Sequence, residues 1–147
     1  MTERLVLCCG TPGRGDDGVG PAVAARLRAM AVPGLRVEAI PGEATALLAA
    51  LEAHADVVLV DAALSGAAPG TVRVIDCGAG ETVPVGRTAS SHGFGVAEAI
   101  GLARALGSLP ARCRIYAIEA EDFTIGGSLS PAVAAAAARV AAEIAAA

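Results

Sequence analysis

The stretch "LVLCCGTPGRGDDGVG", residues 5–20, sets the interpretation of the chain. An apolar run leads into a loop whose glycines have the G-x-G-x-x-G spacing of a dinucleotide-binding turn, where the backbone approaches a pyrophosphate. Here Asp16 and Asp17 lie between the last two glycines, where their charge would repel phosphate, and no Lys-Ser/Thr pair follows to make a P-loop. The loop is therefore predicted to present carboxylates. One of the two is expected to cap the following helix.

Short β-branched runs alternate with Ala/Leu-rich runs outward from this loop. The predicted strands are 4–10, 35–40, 56–63, 71–76 and 112–119, and the predicted helices are 17–31, 43–54, 91–107 and 130–146. Continuous apolar strands in this order predict an α/β fold, a three-layer sandwich with helices on both faces of a five-stranded, mostly parallel sheet. The third and fourth strands are joined directly, which predicts one antiparallel pairing and a mixed sheet. The length of 147 residues fits one domain, 1–147.

The composition disfavours several classes of protein. A formal net charge of −4 without a basic run predicts no binding to nucleic acid. No signal-peptide pattern follows Met1, and the Ala-rich stretch 131–147 is interrupted by Arg139 and Glu143, so no membrane segment is expected. The four cysteines form no C-x-x-C pair. A reduced, cytoplasmic protein is the expectation.

Two carboxylates are predicted to meet at one edge of the sheet. Asp61 ends the apolar run "VVLV", and Asp17 lies just beyond the first strand. Ligands of open α/β sheets bind outside the carboxyl ends of the strands, so neighbouring strands would bring both side chains to one crevice. The alternative for Asp61 is a cap or turn residue.

His92 is the histidine expected on the same side of the sheet. Ser90 or Ser91 is predicted to cap the third helix, placing His92 in its first turn, where the helix dipole favours the neutral imidazole that ligates metals. A capping or core histidine is the alternative. His54 has the position of a solvated helix end. Two carboxylates and one imidazole suit a divalent first-row metal ion without selecting which one.

Four stretches together resemble the hydrogenase maturation endopeptidases, in the family's order: "LVLCCGTPGRGDDGVG" (5–20), "VVLVDAALSGAAPGTV" (57–72), "SSHGFGVAEAIGLARALG" (90–107) and "IEAEDFTIGGSLSPAV" (118–133). The resemblance implies a twisted five-stranded sheet between helices and a cytoplasmic protease. Such a protease removes the C-terminal peptide from the large-subunit precursor of a nickel-containing hydrogenase. It further implies that Asp17, Asp61 and His92 are the catalytic residues and contact nickel carried by the precursor. No permanently bound metal is expected, and one carboxylate would activate water.

Three positions depart from the family pattern. Thr11 replaces the usual Asn, Pro41-Gly42-Glu43 replaces a frequent Asp-Gly pair, and Ala120 stands where Pro is common. These departures concern the identity of the cognate hydrogenase more than the class of protein. Two other functions stay open at this point: a chaperone that binds the nickel-loaded precursor without cutting it, and a nucleotide-binding α/β domain built on the first loop.

Overall fold

The computed structural model describes residues 3–41, 43–83 and 95–147. Within them the strands are β1 (Arg4–Cys9), β2 (Leu35–Ile40), β3 (Asp56–Ala63), β4 (Val72–Asp76) and β5 (Arg112–Glu119). The α-helices are α1 (Val19–Met30), α2 (Ala44–Ala53), α3 (Val96–Leu106) and α4 (Pro131–Ala146), and a 3₁₀ turn at Gly15–Gly18 precedes α1. The predicted strands are thus confirmed to within one residue at each end.

The five strands form one mixed sheet in the order β2-β1-β3-β5-β4. The pairs β1–β2, β1–β3 and β3–β5 are parallel, and β4 runs antiparallel to β5. The mixed, mostly parallel sheet is confirmed, but the expectation that β4 pairs with β3 is wrong. Residues 64–71 join these two strands, which exceeds the two to five residues of an ordinary hairpin loop. The longer connection lets β5 lie between them.

Helices cover both faces of the sheet because successive strand residues point to opposite sides. Even-numbered strand residues face α1 and α4, among them Val6, Cys8, Val58, Val60, Tyr116 and Ile118. Odd-numbered strand residues face α2 and α3, among them Leu5, Leu7, Val57, Leu59, Cys113 and Ile115. This confirms the three-layer sandwich. Only the numbering of β2 is shifted by one: its odd-numbered Leu35 and Val37 pack on the α1 and α4 side, and Ile40 packs on the α2 and α3 side.

The third helix begins later than the sequence predicts. Gly95 is its N-cap residue, and the Gly95 N–H donates to Oε2 of Glu98 at 2.8 Å, which closes the first turn there. The first turn therefore starts at Val96, and the predicted start at 91 is wrong. Because residue 92 is not in the first turn of α3, the dipole of this helix no longer supports a neutral His92. His92 itself, with Ser90 and Ser91, lies outside the described residues.

The last helix begins as predicted, with Ser130 at the N-cap and Pro131 at the first helical position. Among the described ranges no helix combines the length and the apolar character needed to cross a membrane.

Close packing of α1 against β1 requires a glycine at position 20. A Cβ built on Gly20 would collide with the backbone of Cys9, at the carbonyl oxygen that ends β1. The same addition at Gly101, on the exposed side of α3, meets no atom within 4 Å. The two helical glycines therefore differ only in what surrounds them.

We expect Gly20→Ala to lower the free energy of unfolding by about 3 kcal/mol, because the strand end and the helix must move apart. Gly101→Ala is the matched control, and we expect it to raise the free energy of unfolding by about 0.5–1 kcal/mol through helix propensity. Urea unfolding followed by circular dichroism measures both. Equal effects of the two substitutions would contradict the close approach at Gly20.

Candidate active site

The carboxylate of Asp16 ties the first loop to the segment before α4. Asp16 is completely buried, at 0% exposure, and its two oxygens accept hydrogen bonds from three backbone N–H groups and one hydroxyl. The donors are Glu121 N (2.8 Å), Asp122 N (3.0 Å), Ser130 N (2.7 Å) and Ser130 Oγ (2.7 Å). Burial acts to raise the pKa of Asp16, but these hydrogen bonds outweigh it and lower the pKa below its usual value.

Backbone hydrogen bonds join the same two segments. The N–H groups of Gly15 and Asp16 donate to the carbonyls of Gly127 (3.1 Å) and Asp122 (2.7 Å), and Gly126 N donates to Gly13 O (2.6 Å). Donors that would cradle a phosphate in a dinucleotide site are therefore already engaged within the chain. The engagement of Gly15 N and Asp16 N within the chain disfavours the nucleotide-binding hypothesis.

Asp17 is held by the loop that precedes it. Its Oδ2 accepts a hydrogen bond from Thr11 N at 3.1 Å, and the residue is 8% exposed. Because the donor is a backbone N–H, this contact does not depend on the side chain at position 11, where the family usually has Asn. The expectation that Asp16 or Asp17 caps a helix is wrong, since both carboxylates bind donors outside the helix that follows.

Asp61 lies near the end of β3, on the face of the sheet covered by α2 and α3. Its Oδ1 accepts from Ala62 N at 2.9 Å, and the residue is half-buried. Desolvation of its carboxyl raises the pKa of Asp61 to about 7; the Ala62 N–H opposes this rise and the negative charge of Asp17 adds to it. The 3₁₀ turn that carries Asp17 contacts β3, the strand of Asp61, and β1 is paired with β3.

Cys9 is the last residue of β1 and directly precedes the loop that carries Asp17. The residue is buried at the end of β1, and desolvation raises the pKa of its thiol well above the usual range, with further increases from Asp61, Cys8 and Asp17. The thiol therefore stays protonated at neutral pH. Like Cys8, Cys77 and Cys113, it is free.

Glu119 is a third acidic residue at this edge, and the sequence analysis missed it. It ends β5 directly beside the end of β3, with Glu119 paired in register to Ala63. Its buried carboxylate accepts from Ser65 N (3.0 Å), Ser65 Oγ (2.6 Å) and Gly66 N (3.4 Å). These bonds fix the loop that follows the strand of Asp61. The strand-end argument applied to Asp61 would also have found Glu119.

The structure brings together two of the three predicted site residues, Asp17 and Asp61, and His92 lies outside the described residues. In the described part of the chain, no group of three or more His, Cys, Asp or Glu side chains is arranged to hold a metal ion. Carboxylates are suitable ligands for a divalent metal ion brought by another molecule.

Two residues outside the predicted site lie at the ends of α2, as the predicted helix 43–54 implies. Glu43 caps α2, accepting from Thr45 N at 2.8 Å and Ala46 N at 3.3 Å. His54 is the C-terminal cap residue of α2, half-buried, with its Nδ1 2.9 Å from Ala50 O.

We expect Asp16→Asn to lower the free energy of unfolding by about 3 kcal/mol at pH 7, because an amide cannot accept from all four donors and leaves some buried and unpaired. Since the pKa of Asp16 is lowered in the native state, its contribution is present above the unfolded-state pKa near 3.8 and is lost as pH falls below it. Urea unfolding between pH 3 and 8 measures this. Glu121→Gln, at an exposed acid of the same segment, is the control, and equal losses in both variants would contradict the role of Asp16.

The carboxyl of Asp61 predicts the opposite dependence on pH. Its native pKa of about 7 lies above the usual 3.8, so the folded protein retains a proton that the unfolded chain releases, and stability falls as pH rises through this window. We expect Asp61→Asn to raise the free energy of unfolding by about 2 kcal/mol at pH 8 and to change it little at pH 4, after allowance for partial solvent screening. An Asp61→Asn profile parallel to that of the wild type would refute the raised pKa.

Comparison with known proteins identifies the family to which the chain belongs. The profile of the HycI hydrogenase maturation protease family matches residues 23–147, a range that contains Asp61 and His92 and begins after Asp17. No curated protein sequence was found to match the chain.

Several solved structures have the same fold. The hydrogenase maturating endopeptidase HybD from E. coli is similar with a TM-score of 0.78 and 19% identity, over 97% of this chain and 89% of that one. The NiFe hydrogenase maturation protease HycI from Thermococcus kodakarensis is similar with a TM-score of 0.73 and 22% identity, over 98% of this chain and 90% of that one. The NiFe hydrogenase maturation protease HybD from Thermococcus kodakarensis has a TM-score of 0.67 and 25% identity, over 97% of this chain and 96% of that one. Since the family profile covers most of its length, this chain belongs to the hydrogenase maturation protease family.

Proposed function

We propose that the protein is an endopeptidase that removes the C-terminal extension of a nickel-loaded hydrogenase large-subunit precursor. Asp17, Asp61 and His92 contact the nickel that the precursor carries. The observation that supports this most is the contact between the 3₁₀ turn that carries Asp17 and β3, which carries Asp61 near its carboxyl end, in a chain of the maturation protease family. Ligands of open α/β sheets bind at this edge.

Hydrolysis needs one of these carboxylates as a general base. The carboxylate takes a proton from water while the oxygen of that water attacks the scissile carbonyl. The carbon–nitrogen bond then breaks, and the departing amine takes up the proton. The nickel of the precursor lies close enough to polarise the carbonyl. The other carboxylate and His92 hold the precursor's metal centre in place, so the bond to be cut lies beside the base.

The proposed contacts to the metal are two carboxylates and one imidazole, those of Asp17, Asp61 and His92. Such a set has little selectivity among divalent ions, whereas thiolate ligands in the precursor favour soft and borderline metals. Nickel is therefore selected when it is inserted into the precursor, and the protease recognises the nickel centre that has already formed.

The test is incubation of the protein with a large-subunit precursor, with and without prior nickel loading, followed by measurement of intact mass. We expect loss of one C-terminal peptide from the nickel-loaded sample alone. Asp17→Asn, Asp61→Asn and His92→Ala should each reduce the rate at least about 100-fold, because each removes a base or a contact to the metal centre.

Asp56→Asn is the matched control. Asp56 begins the same strand that carries Asp61 but lies at the opposite edge of the sheet, where it contacts Arg4. Its substitution should leave the rate unchanged. A stable complex with uncut, nickel-loaded precursor would establish a chaperone and overturn the protease. Equal cutting of nickel-free precursor would overturn the metal dependence.

A further inference from the structure

A cavity opens beside Asp61 on the α3 side of the sheet. Its volume is about 290 Å³, and its apolar wall is formed by Ile75, Val83, Val96 and Ile115. For scale, a cavity of about 150 Å³ is enough to bind benzene. We call this space the side cavity. It has room for one aliphatic side chain of the size of leucine, isoleucine or methionine.

Strand register places the side cavity next to the proposed reaction centre. Asp61 of β3 is paired with Ala117 of β5, and Ala117 is paired with Arg73 of β4. All three have odd numbers, so their side chains lie on the same face of the sheet and form one row across three strands. All three line the cavity. A substrate group in the cavity would therefore lie one strand spacing from the Asp61 carboxyl.

The polar groups around the side cavity disfavour a cationic ligand. Glu119 lines the cavity, but its carboxylate already accepts three hydrogen bonds from Ser65 and Gly66. A positively charged side chain would compete with those bonds and would meet the Arg73 guanidinium on the same wall. An uncharged, apolar side chain keeps the Glu119 contacts and covers the apolar wall.

We propose that the side cavity binds one apolar side chain of the precursor, that of a residue on either side of the bond to be cut. This inference rests on the proposed function, because it concerns the substrate of the same site. It makes the wall of the cavity, above all Ile75 and Ala97, the part of the chain that selects the residue at the cleavage point. Ala97 lies in the first turn of α3, is half-buried and lines the cavity.

Two variants change the volume of the cavity in opposite directions. Ala97→Leu adds a side chain that fills it, in a helix where leucine is favourable. Ile75→Ala enlarges it. Ala105→Leu, at an exposed position of the same helix, is the control for adding leucine to α3. Circular dichroism establishes that each variant is folded.

The first measurement is kcat/KM for nickel-loaded precursors in which each residue flanking the scissile bond is changed in turn to Ala, Leu, Phe or Lys. At one of these positions we expect the wild type to prefer Leu over Ala at least tenfold. Ala97→Leu should abolish that preference, Ile75→Ala should extend it to Phe, and Ala105→Leu should retain it. Equal rates for Ala and Leu at both positions, preference for Lys, or retention of the Leu preference by Ala97→Leu would overturn the inference.

The second measurement does not depend on cleavage. N-acetyl-leucinamide is titrated into protein carrying labelled methyl groups, with N-acetyl-alaninamide as the comparison. We expect the methyl signals of Ile75, Val96 and Ile115 to shift with the leucine compound, and the shifts to be lost in Ala97→Leu. Their absence, or equal shifts with both compounds, would overturn the inference. If no precursor is cut while these shifts occur, the proposed function fails and the cavity assignment stands.

Discussion

The buried carboxylate of Asp16 holds together two loops that lie at opposite ends of the sequence. A charge with no exposure to water is tolerated only when hydrogen bonds replace the water it has lost, and Asp16 has four such bonds. These bonds fix the loop after β1 against the segment before α4. Asp17 follows directly, so its backbone position is set by the neighbour that is tied down. The two neighbouring aspartates therefore differ in their contacts: Asp16 joins the two loops, and Asp17 accepts a hydrogen bond from Thr11 N within the first loop.

The parallel arrangement of β1, β3 and β5 places the acidic residues at one edge. Strands that run in the same direction end on the same side, so Asp17, Asp61 and Glu119 meet there although they are distant in sequence. Their surroundings then differ. Asp17 accepts from a backbone N–H, and Glu119 accepts hydrogen bonds from its neighbouring loop. Asp61 has a pKa raised chiefly by desolvation of its carboxyl.

The sequence was sufficient for the strands and the layers, because these follow from local apolar runs. That Asp17 and Asp61 act together stays a prediction, supported by the parallel pairing of β1 with β3. It was insufficient where a contact joins distant segments. The partners of Asp16 lie in the segment 121–130, and no local pattern in either segment indicates the other. The position of β4 beyond β5 depends on competition between strands for the centre of the sheet. The start of α3 depends on the Glu98 contact to Gly95, where a preceding run of serines was the more conventional signal.

The central claim is that Asp17 and Asp61 meet the nickel of the precursor. The most direct measurement is nickel K-edge X-ray absorption of the complex between the protein and a nickel-loaded precursor made uncleavable by proline after the scissile bond. The account predicts additional oxygen or nitrogen scattering in the first shell of nickel on binding, absent when Asp17 and Asp61 are both replaced by Ala. A complex that forms while the nickel spectrum stays that of the free precursor would contradict it.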